Sequence, residues 1–265
     1  MTYFNFLLLF VGAPILLIAG LLWFYRRRTS DGQFVLSHVG WGIGLHVLVA
    51  VIYTTPWDNY LVATGVWSYN PTLVTGIVFG YVPLEEYTFF VVQTILCGLW
   101  WWLLAKMIEP PAQAARTESV LVPWKANLIL AGIIACAWVF FTQRFFFASD
   151  EWNYLGIIFF WALPPIILQL IFGADLLWRY RTLVALSVFI PGIYLSLADI
   201  VALRATTWQI SESQTLGLRF FGILPVEEVS FFFVTTILVC FGLTLMLSIE
   251  GRKRISAVLA ILRRS

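Results

Sequence analysis

The sequence predicts an all-α integral membrane protein with seven transmembrane helices, arranged as two parallel three-helix repeats joined by a tethering helix. Three observations predict this class. Of the 265 residues, 61% are hydrophobic and only 11% are charged, whereas a soluble domain is roughly half apolar and one-quarter charged. Seven separate apolar segments are each long enough to cross a bilayer, which takes about 20 residues. A motif rich in glutamate and phenylalanine occurs twice.

The seven apolar segments follow one another along the whole chain. They cover residues 3–25, 34–55, 73–105, 126–147, 153–173, 182–203 and 216–249. The third and seventh are longer than a span requires and contain Pro83 and Pro225, so we expect a bend or a broken helix at each proline. The stretch 109–123, with its prolines and alanines, has the composition of a linker.

The basic residues predict the orientation of the chain. Lysines and arginines that border the segments fall mostly on one side, and cytoplasmic loops are enriched in these residues. We therefore expect an extracellular N-terminus and a cytoplasmic C-terminus in the cell membrane. The cytoplasmic set is Arg26, Arg27, Arg28, Lys106, Arg116, Lys125, Arg179, Arg181, Arg252, Lys253, Arg254, Arg263 and Arg264, and the opposite set is Arg144, Arg204 and Arg219.

Helices one to three and five to seven carry the same pattern. The stretch "PLEEYTFFVVQTIL", from Pro83, is matched by "PVEEVSFFFVTTIL", from Pro225. Before each motif, an aspartate is followed nine residues later by a tryptophan, as Asp58 by Trp67 and Asp199 by Trp208. Glycines stand three residues before the two motif prolines. Such self-similarity indicates a repeated architecture.

The fourth helix is needed because each copy has an odd number of transmembrane spans. Direct fusion of two three-helix units would invert the second copy, and the helix at 126–147 restores its direction. We therefore expect parallel copies related by a pseudo-two-fold axis along the membrane normal, with both glutamate pairs at similar depth. The predicted regions are a first repeat at 1–108, a linker with helix four at 109–150 and a second repeat at 151–265.

The paired glutamates are the strongest candidates for function. An ionised acidic side chain at mid-membrane costs about 2.5–3.5 kcal/mol on insertion scales. We expect at least one carboxyl of each pair to be protonated, which makes it a proton donor. The structural alternative is that the side chains satisfy free backbone N–H groups at a broken helix start. The predicted catalytic residues are Glu85, Glu86, Glu227 and Glu228.

A phenylalanine follows four residues after each of these glutamates, on the same helix face. These residues are Phe89, Phe90, Phe231 and Phe232. Aromatic faces stabilise a nearby cation by about 0.5–2 kcal/mol each without acting as nucleophiles. Most aromatic residues of a membrane protein simply fill its core. Acids lined by aromatic rings nevertheless suit carbocation chemistry on an apolar substrate.

The remaining candidates play a supporting part. Asp58 and Asp199 lie at the outer ends of helices two and six, where capping or packing is as good an explanation as catalysis. His46 could serve as a base, but it occurs only in the first copy, and packing or hydrogen bonding is the better explanation of it. The three cysteines lie in apolar spans and show no metal-ligand spacing. We therefore predict no metal site.

These residues resemble a known family. The duplicated Pro-x-Glu-Glu at Pro83–Glu86 and Pro225–Glu228, with three helices per copy and a tethering helix, is similar to the heterodimer-type lycopene cyclases of carotenoid biosynthesis. The chain resembles the fused form, with both subunits in one polypeptide. Some fungal relatives carry a phytoene synthase after the cyclase. No aspartate-rich prenyl-diphosphate motif follows here, so that activity is not expected.

The resemblance implies an intramolecular lyase or isomerase acting on lycopene or a longer acyclic carotenoid. Proton addition at C2 of the ψ-end, ring closure through a tertiary cation and proton loss would give a β- or an ε-ring. The four glutamates then become the acid and base candidates. The resemblance implies no cofactor. The expected partners are the carotenoid substrate, the bilayer and other carotenoid enzymes, with no nucleic acid.

Three other functions compete with this one. A proton-coupled transporter also uses paired acids and internal repeats, but the chain lacks a matched polar set for a hydrophilic solute. A seven-helix retinal protein needs a lysine in its last helix, and 216–249 contains none. An inactive scaffold for carotenoid enzymes would not need the glutamates.

Overall fold

The structure, a computed structural model, describes residues 1–27, 34–108 and 124–262. Seven helices in these ranges are long and apolar enough to cross a membrane, which confirms the predicted fold class. The seven helices, α1 to α7, cover Tyr3–Phe24, Val39–Ala63, Leu84–Met107, Trp124–Phe147, Asn153–Arg179, Arg181–Arg204 and Val226–Leu247. An eighth helix, α8, covers Ile249–Leu262; it was not predicted.

The prediction was wrong in the first parts of the third and seventh segments. Residues 73–83 and 216–225 are not helical: α3 and α7 begin directly after Pro83 and Pro225. Each proline is therefore the residue before a helix and not a bend within one. The error has a physical reason, because a short continuous apolar run does not distinguish a strand from a helix.

Two other helices extend beyond their predicted ends. α2 was predicted to end at residue 55 and continues to Ala63, which places Asp58 inside it. α5 was predicted to end at residue 173 and continues to Arg179 across a kink at Gly173. The linker predicted at 109–123 lies outside the described residues. So do four of the basic residues used for orientation, which are Arg28, Arg116, Arg263 and Arg264.

A short β-hairpin precedes each of α3 and α7. Strands β2 and β3 are Val78–Phe79 and Val82–Pro83, and strands β5 and β6 are Arg219–Phe220 and Leu224–Pro225. The turns contain Gly80 and Gly222, each with a φ of +68°. A side chain is strained in this left-handed region, which explains why glycine stands three residues before both motif prolines.

One more pair of strands joins the two repeats. β1, Trp67–Tyr69, pairs antiparallel with β4, Trp208–Ile210, and Ser68 lies opposite Gln209. Ser68 and Gln209 are equivalent residues of the two copies. When a two-fold axis passes between two antiparallel strands, equivalent residues of the two copies lie opposite each other at the axis. The pairing of Ser68 with Gln209 therefore places a pseudo-two-fold axis between β1 and β4.

Equivalent hydrogen bonds repeat on both sides of this axis. The Tyr53 hydroxyl donates to the carbonyl oxygen of Trp161 at 2.9 Å, and the Tyr194 hydroxyl donates to that of Phe10 at 2.8 Å. Each bond ties the second helix of one repeat to the first helix of the other. The two copies therefore interlock around a shared core that contains the starts of α3 and α7.

The fourth helix lies outside this symmetric core. α4 packs chiefly along α5. The rings of Phe141 and Phe159 stack at 4.3 Å between centroids, and the Trp138 indole donates to the carbonyl oxygen of Phe160 at 2.9 Å. This placement fits the predicted tether, which connects the repeats without contributing to their common centre.

The two hairpin glycines give a matched test of the fold. A Cβ at Gly80 would lie 2.2 Å from Oδ1 of Asn59, which accepts a hydrogen bond from the Tyr81 N–H, whereas a Cβ at Gly222 meets open space. We expect Gly222→Ala to cost about 1 kcal/mol from backbone strain alone. Gly80→Ala should cost about 1 kcal/mol more, because it also displaces the Asn59 acceptor.

Thermal unfolding in detergent measures both effects. The midpoint should fall in the order wild type, Gly222→Ala, Gly80→Ala. Equal midpoints for the two variants would contradict the role of Asn59.

Candidate functional site

The four predicted glutamates all lie in the first turns of α3 and α7, directly after the hairpins. All are buried, with side chains between 0% and 4% exposed. Neighbours on a helix point about 100° apart, so the two members of each pair face different surroundings. The structure therefore divides the four residues into two equivalent couples.

The first glutamate of each pair holds the loop that leads into the hairpin. Oε1 of Glu85 accepts a hydrogen bond from the Thr75 N–H at 2.6 Å, and Oε1 of Glu227 accepts one from the Leu216 N–H at 2.8 Å. Thr75 and Leu216 occupy corresponding places in the two copies. We name Glu85 and Glu227 the latch glutamates. Both bonds go to backbone N–H groups, as in the structural alternative, but these groups lie in the preceding loop and not at the start of the helix.

The second glutamate of each pair faces a small cavity. Oε2 of Glu86 accepts hydrogen bonds from the hydroxyls of Tyr3, at 2.5 Å, and Tyr69, at 3.0 Å. Oε1 of Glu228 accepts one from the hydroxyl of Tyr154. We name Glu86 and Glu228 the cavity glutamates, and the space that both of them line the carboxyl cavity.

The sequence analysis did not identify these tyrosines. Tyr3 and Tyr154 occupy equivalent positions at the starts of α1 and α5, a signal present in the sequence but absent from the motif comparison, which covered later helices only. Tyr69 breaks the symmetry, because Ile210 holds its place in the second copy. Burial, and then the charge of Glu86, raise the pKa of the Tyr69 hydroxyl well above its ordinary value. That hydroxyl therefore stays a donor at physiological pH.

The two aspartates, Asp58 and Asp199, lie near the cavity glutamates and differ in their hydrogen bonding. Asp199 lines the carboxyl cavity, and its Oδ1 accepts a hydrogen bond from the Trp208 indole at 2.9 Å. Asp199 and Trp208, nine residues apart in the sequence, are therefore joined by a direct hydrogen bond. Asp58 is equally buried, yet neither of its oxygens, nor the Trp67 indole N–H, finds a hydrogen-bond partner within the described ranges. It lines a void of about 10 Å³ adjoining the carboxyl cavity.

The predicted phenylalanines form the apolar wall between the two helices. Phe89 contacts Phe232 edge to face at 6.2 Å between centroids, and Phe231 contacts Trp67 at 5.9 Å. Phe89, Phe231 and Phe232 line the carboxyl cavity. Phe90 is buried too, but it faces the void of Asp58 and a further cavity beyond it. Three of the four predicted rings therefore meet the cavity glutamates.

His46 does not join this group. It lines the further cavity, of about 200 Å³, which lies among α2, α3, α5 and α7 and which we name the lateral cavity. Nδ1 of His46 donates to the carbonyl oxygen of Gly42 at 2.8 Å, and Nε2 lies against Gly242. The histidine is thus directed into helix packing, which supports the packing role over that of a base.

The carboxyl cavity combines acids, phenols and aromatic faces. Its lining carries three carboxyl groups and, among the described residues that form it, no basic side chain. Acids in such surroundings can give a proton to a carbon atom and take one back, while the rings stabilise a positive charge between these steps. Fold and site together define a polytopic membrane protein with a buried cluster of carboxyl groups and aromatic rings.

Comparisons with known proteins agree with this definition. A family model described as lycopene cyclase matches residues 1–104 and 151–247. A protein of Halobacterium salinarum named lycopene beta-cyclase is 36% identical over 256 residues, which is 96% of this chain and 99% of that protein. This chain therefore belongs to the lycopene cyclase family.

Fungal relatives match over part of their length. A bifunctional lycopene cyclase/phytoene synthase of Podospora anserina is 32% identical over 76% of this chain and 34% of that protein. One of Phaeosphaeria nodorum is 36% identical over 74% of this chain and 34% of that protein. No solved structure matches this chain.

The latch glutamates make a prediction about stability. Glu85→Ala should lower the free energy of unfolding by about 0.5–1.5 kcal/mol, because it removes the side chain that accepts the hydrogen bond of the Thr75 N–H. Glu85→Gln keeps an acceptor oxygen in place and should lose less than half as much. The same contrast should hold at Glu227, whose partner is Leu216. Denaturation in detergent, with the four variants side by side, measures it, and equal losses for alanine and glutamine would contradict the latch.

Proposed function

We propose that this chain is a membrane lycopene cyclase, an intramolecular lyase that closes the acyclic ψ-ends of lycopene into β-rings by acid catalysis without net oxidation or reduction. Membership of the lycopene cyclase family supports the substrate and the reaction. The single observation that carries the mechanism is the pair of cavity glutamates, Glu86 and Glu228, facing one aromatic-lined space from equivalent helix starts.

The reaction needs one proton donor and one proton acceptor. The donor O–H bond breaks and the C1=C2 π electrons take the proton at C2, leaving a tertiary cation at C1. The C5=C6 π electrons then form the C1–C6 bond and move the cation to C5. A base removes the proton at C6, and the C5=C6 bond re-forms in the ring. The product is an isomer of the substrate, so no oxidant or reductant is required.

The hydrogen bonds of the two cavity glutamates suggest how the roles are divided. Glu86 accepts two phenol hydrogen bonds and Glu228 accepts one. Hydrogen bonds to a carboxylate stabilise its charge. We therefore assign the proton donor to Glu228, and to Glu86 the carboxylate that steadies the cation and takes the final proton. Both carboxyl groups face the same space, as such a transfer needs.

The other candidate residues take supporting roles in this proposal. Phe89, Phe231 and Phe232 stabilise the cation through their faces, and Asp199, held by Trp208, adds a further negative group to the carboxyl cavity. Phe90 and Asp58 border the approach to it. The latch glutamates act on the position of the helix starts and not on the substrate.

Family membership does not favour the proton-coupled transporter, the main alternative considered from the sequence. The relatives that match nearly all of this chain are named as cyclases. An enzyme of this kind needs the acids but no transmembrane gradient.

We also propose a cellular location and an orientation in the membrane for the protein. The protein is an integral membrane protein. The excess of basic residues on one side supports a cell-membrane location with the N-terminus outside and the C-terminus in the cytoplasm. The proposed regions are a first repeat at 1–108, a linker region with helix four at 109–150 and a second repeat at 151–265. The further partners that we propose are other carotenoid enzymes.

The division of roles predicts different activities for neighbouring glutamines. In cells that accumulate lycopene, wild type should give cyclised pigment. Glu86→Gln and Glu228→Gln should each lower the yield about 100-fold or more, because each removes a proton-transfer group. Glu85→Gln and Glu227→Gln, which retain an acceptor for the loop, should keep most of the activity. Pigment chromatography measures all five.

Two controls make this result decisive. The amount of each variant inserted in the membrane must equal that of wild type, and purified protein in detergent must cyclise lycopene without any gradient. Full activity of both Glu86→Gln and Glu228→Gln would contradict the assigned roles. Activity that requires a gradient would favour the transporter.

A further inference from the structure

The lateral cavity has no part in the chemistry proposed above. The carboxyl cavity has a volume of only about 30 Å³, too small for the end of a carotenoid in this conformation. The lateral cavity is the larger space, at about 200 Å³, and lies between the two repeats. Its lining includes Ala50 and Thr54 of α2, Phe90 of α3, Trp161 of α5 and Phe231 of α7.

Several polar side chains of the lateral cavity form hydrogen bonds to the protein itself, although Oε1 of Gln169 has no partner among the described residues. Thr54 donates its hydroxyl to the carbonyl oxygen of Ala50 at 2.6 Å, and the Gln93 amide donates to the Thr235 hydroxyl at 2.8 Å. His46 donates to the backbone as described above. A hydrophilic solute would have to break these bonds, whereas an apolar chain meets the aromatic and aliphatic groups that remain.

The mouth of the lateral cavity faces the lipid. Leu45 and Val49, which line it, are 49% and 52% exposed on the outer surface of α2. A ligand that enters here comes from the hydrocarbon of the bilayer, where a carotenoid is dissolved. The position of the mouth therefore selects for a lipid-soluble ligand.

The inner end of the lateral cavity shares lining residues with the cavities that contain the carboxyl groups. It shares Thr54, Phe90 and Trp161 with the small void of Asp58. Phe231 lines the lateral cavity, the void and the carboxyl cavity alike. Along α2, the twelve residues from His46 to Asp58 span about 18 Å. The same aromatic residues thus line three neighbouring cavities, which lie between the exposed side of α2 and the carboxyl groups.

We infer that the lateral cavity is the binding subsite for the polyene chain of the substrate, whose terminal group reaches Glu86 and Glu228 past Phe231. The inference rests on the proposed function for the identity of the ligand. Entry of the terminal group requires rotation of the buried Phe231 ring, which packs against Trp67 and Phe232. The rest of the polyene stays in the lateral cavity and the adjoining lipid.

The pseudo-symmetry of the chain supplies a control for this subsite. Val49 in α2 corresponds to Ile190 in α6, and both are lipid-exposed, at 52% and 44%. The linings of the two equivalent clefts differ, because Ala50 and Thr54 correspond to the bulkier Pro191 and Leu195. We therefore expect the polyene at Val49 and not at Ile190.

Photocrosslinking tests the subsite without relying on turnover. A benzophenone amino acid is placed at Val49 or at Ile190, each in the wild-type background and in the Glu86→Gln/Glu228→Gln background, and the purified protein is irradiated with lycopene. Covalent polyene, measured by its absorbance on the denatured protein, should be about tenfold higher at Val49 in both backgrounds, because the probe must lie within contact distance of the chain. Equal labelling at the two positions, or none at Val49, would overturn the inference.

The cyclisation rate provides a second test of the lateral cavity. Val49→Trp should lower the cyclisation rate about tenfold by narrowing the mouth, while Ile190→Trp leaves it unchanged. Equal rates for both variants would overturn access through this mouth. If wild type binds the polyene at Val49 but forms no ring, the proposed function fails and the subsite stands. If rings form while the polyene labels Ile190 instead, the subsite fails and the proposed function stands.

Discussion

Burial of paired carboxyl groups in an apolar bundle is the constraint on which the rest of the structure depends. Adjacent glutamates at a helix start cannot both face lipid, and a lone buried carboxylate is costly. The fold resolves this by giving the two members different partners. Glu85 and Glu227 bind backbone N–H groups, while Glu86 and Glu228 bind tyrosine hydroxyls. Each pair thus supplies one carboxyl group that holds a loop and one that faces the carboxyl cavity.

Duplication of the repeat brings two such glutamate pairs together in one candidate site. A single repeat would present one acidic helix start with nothing opposite it. The pseudo-two-fold axis, marked by the pairing of Ser68 with Gln209, brings the second helix start against the first. The aromatic residues of both motifs then close the space between them, as the contact of Phe89 with Phe232 shows. The candidate active site is therefore a property of the interface between repeats.

The fold class could be predicted from the sequence, because hydrophobic length is a property of the chain itself, and the repeat and the paired glutamates were proposed from self-similarity. The sequence could not predict the hairpins before Pro83 and Pro225, since their apolar residues continue the pattern of the helices that follow. Nor could it separate Glu85 from Glu86, because that difference arises from the loop and the tyrosines that fold against them. Tyr3 lies 83 residues from Glu86, a contact that only the tertiary structure reveals.

In the proposed mechanism, the carboxyl cavity keeps a transferable proton on Glu228 beside a charged Glu86. Infrared spectroscopy of the purified protein at neutral pH tests this most directly, through the carbonyl stretch of protonated carboxyl groups and its shift in deuterated water. A band present in wild type should be lost in Glu228→Gln and retained in Glu86→Gln. An unchanged band in Glu228→Gln would contradict the account.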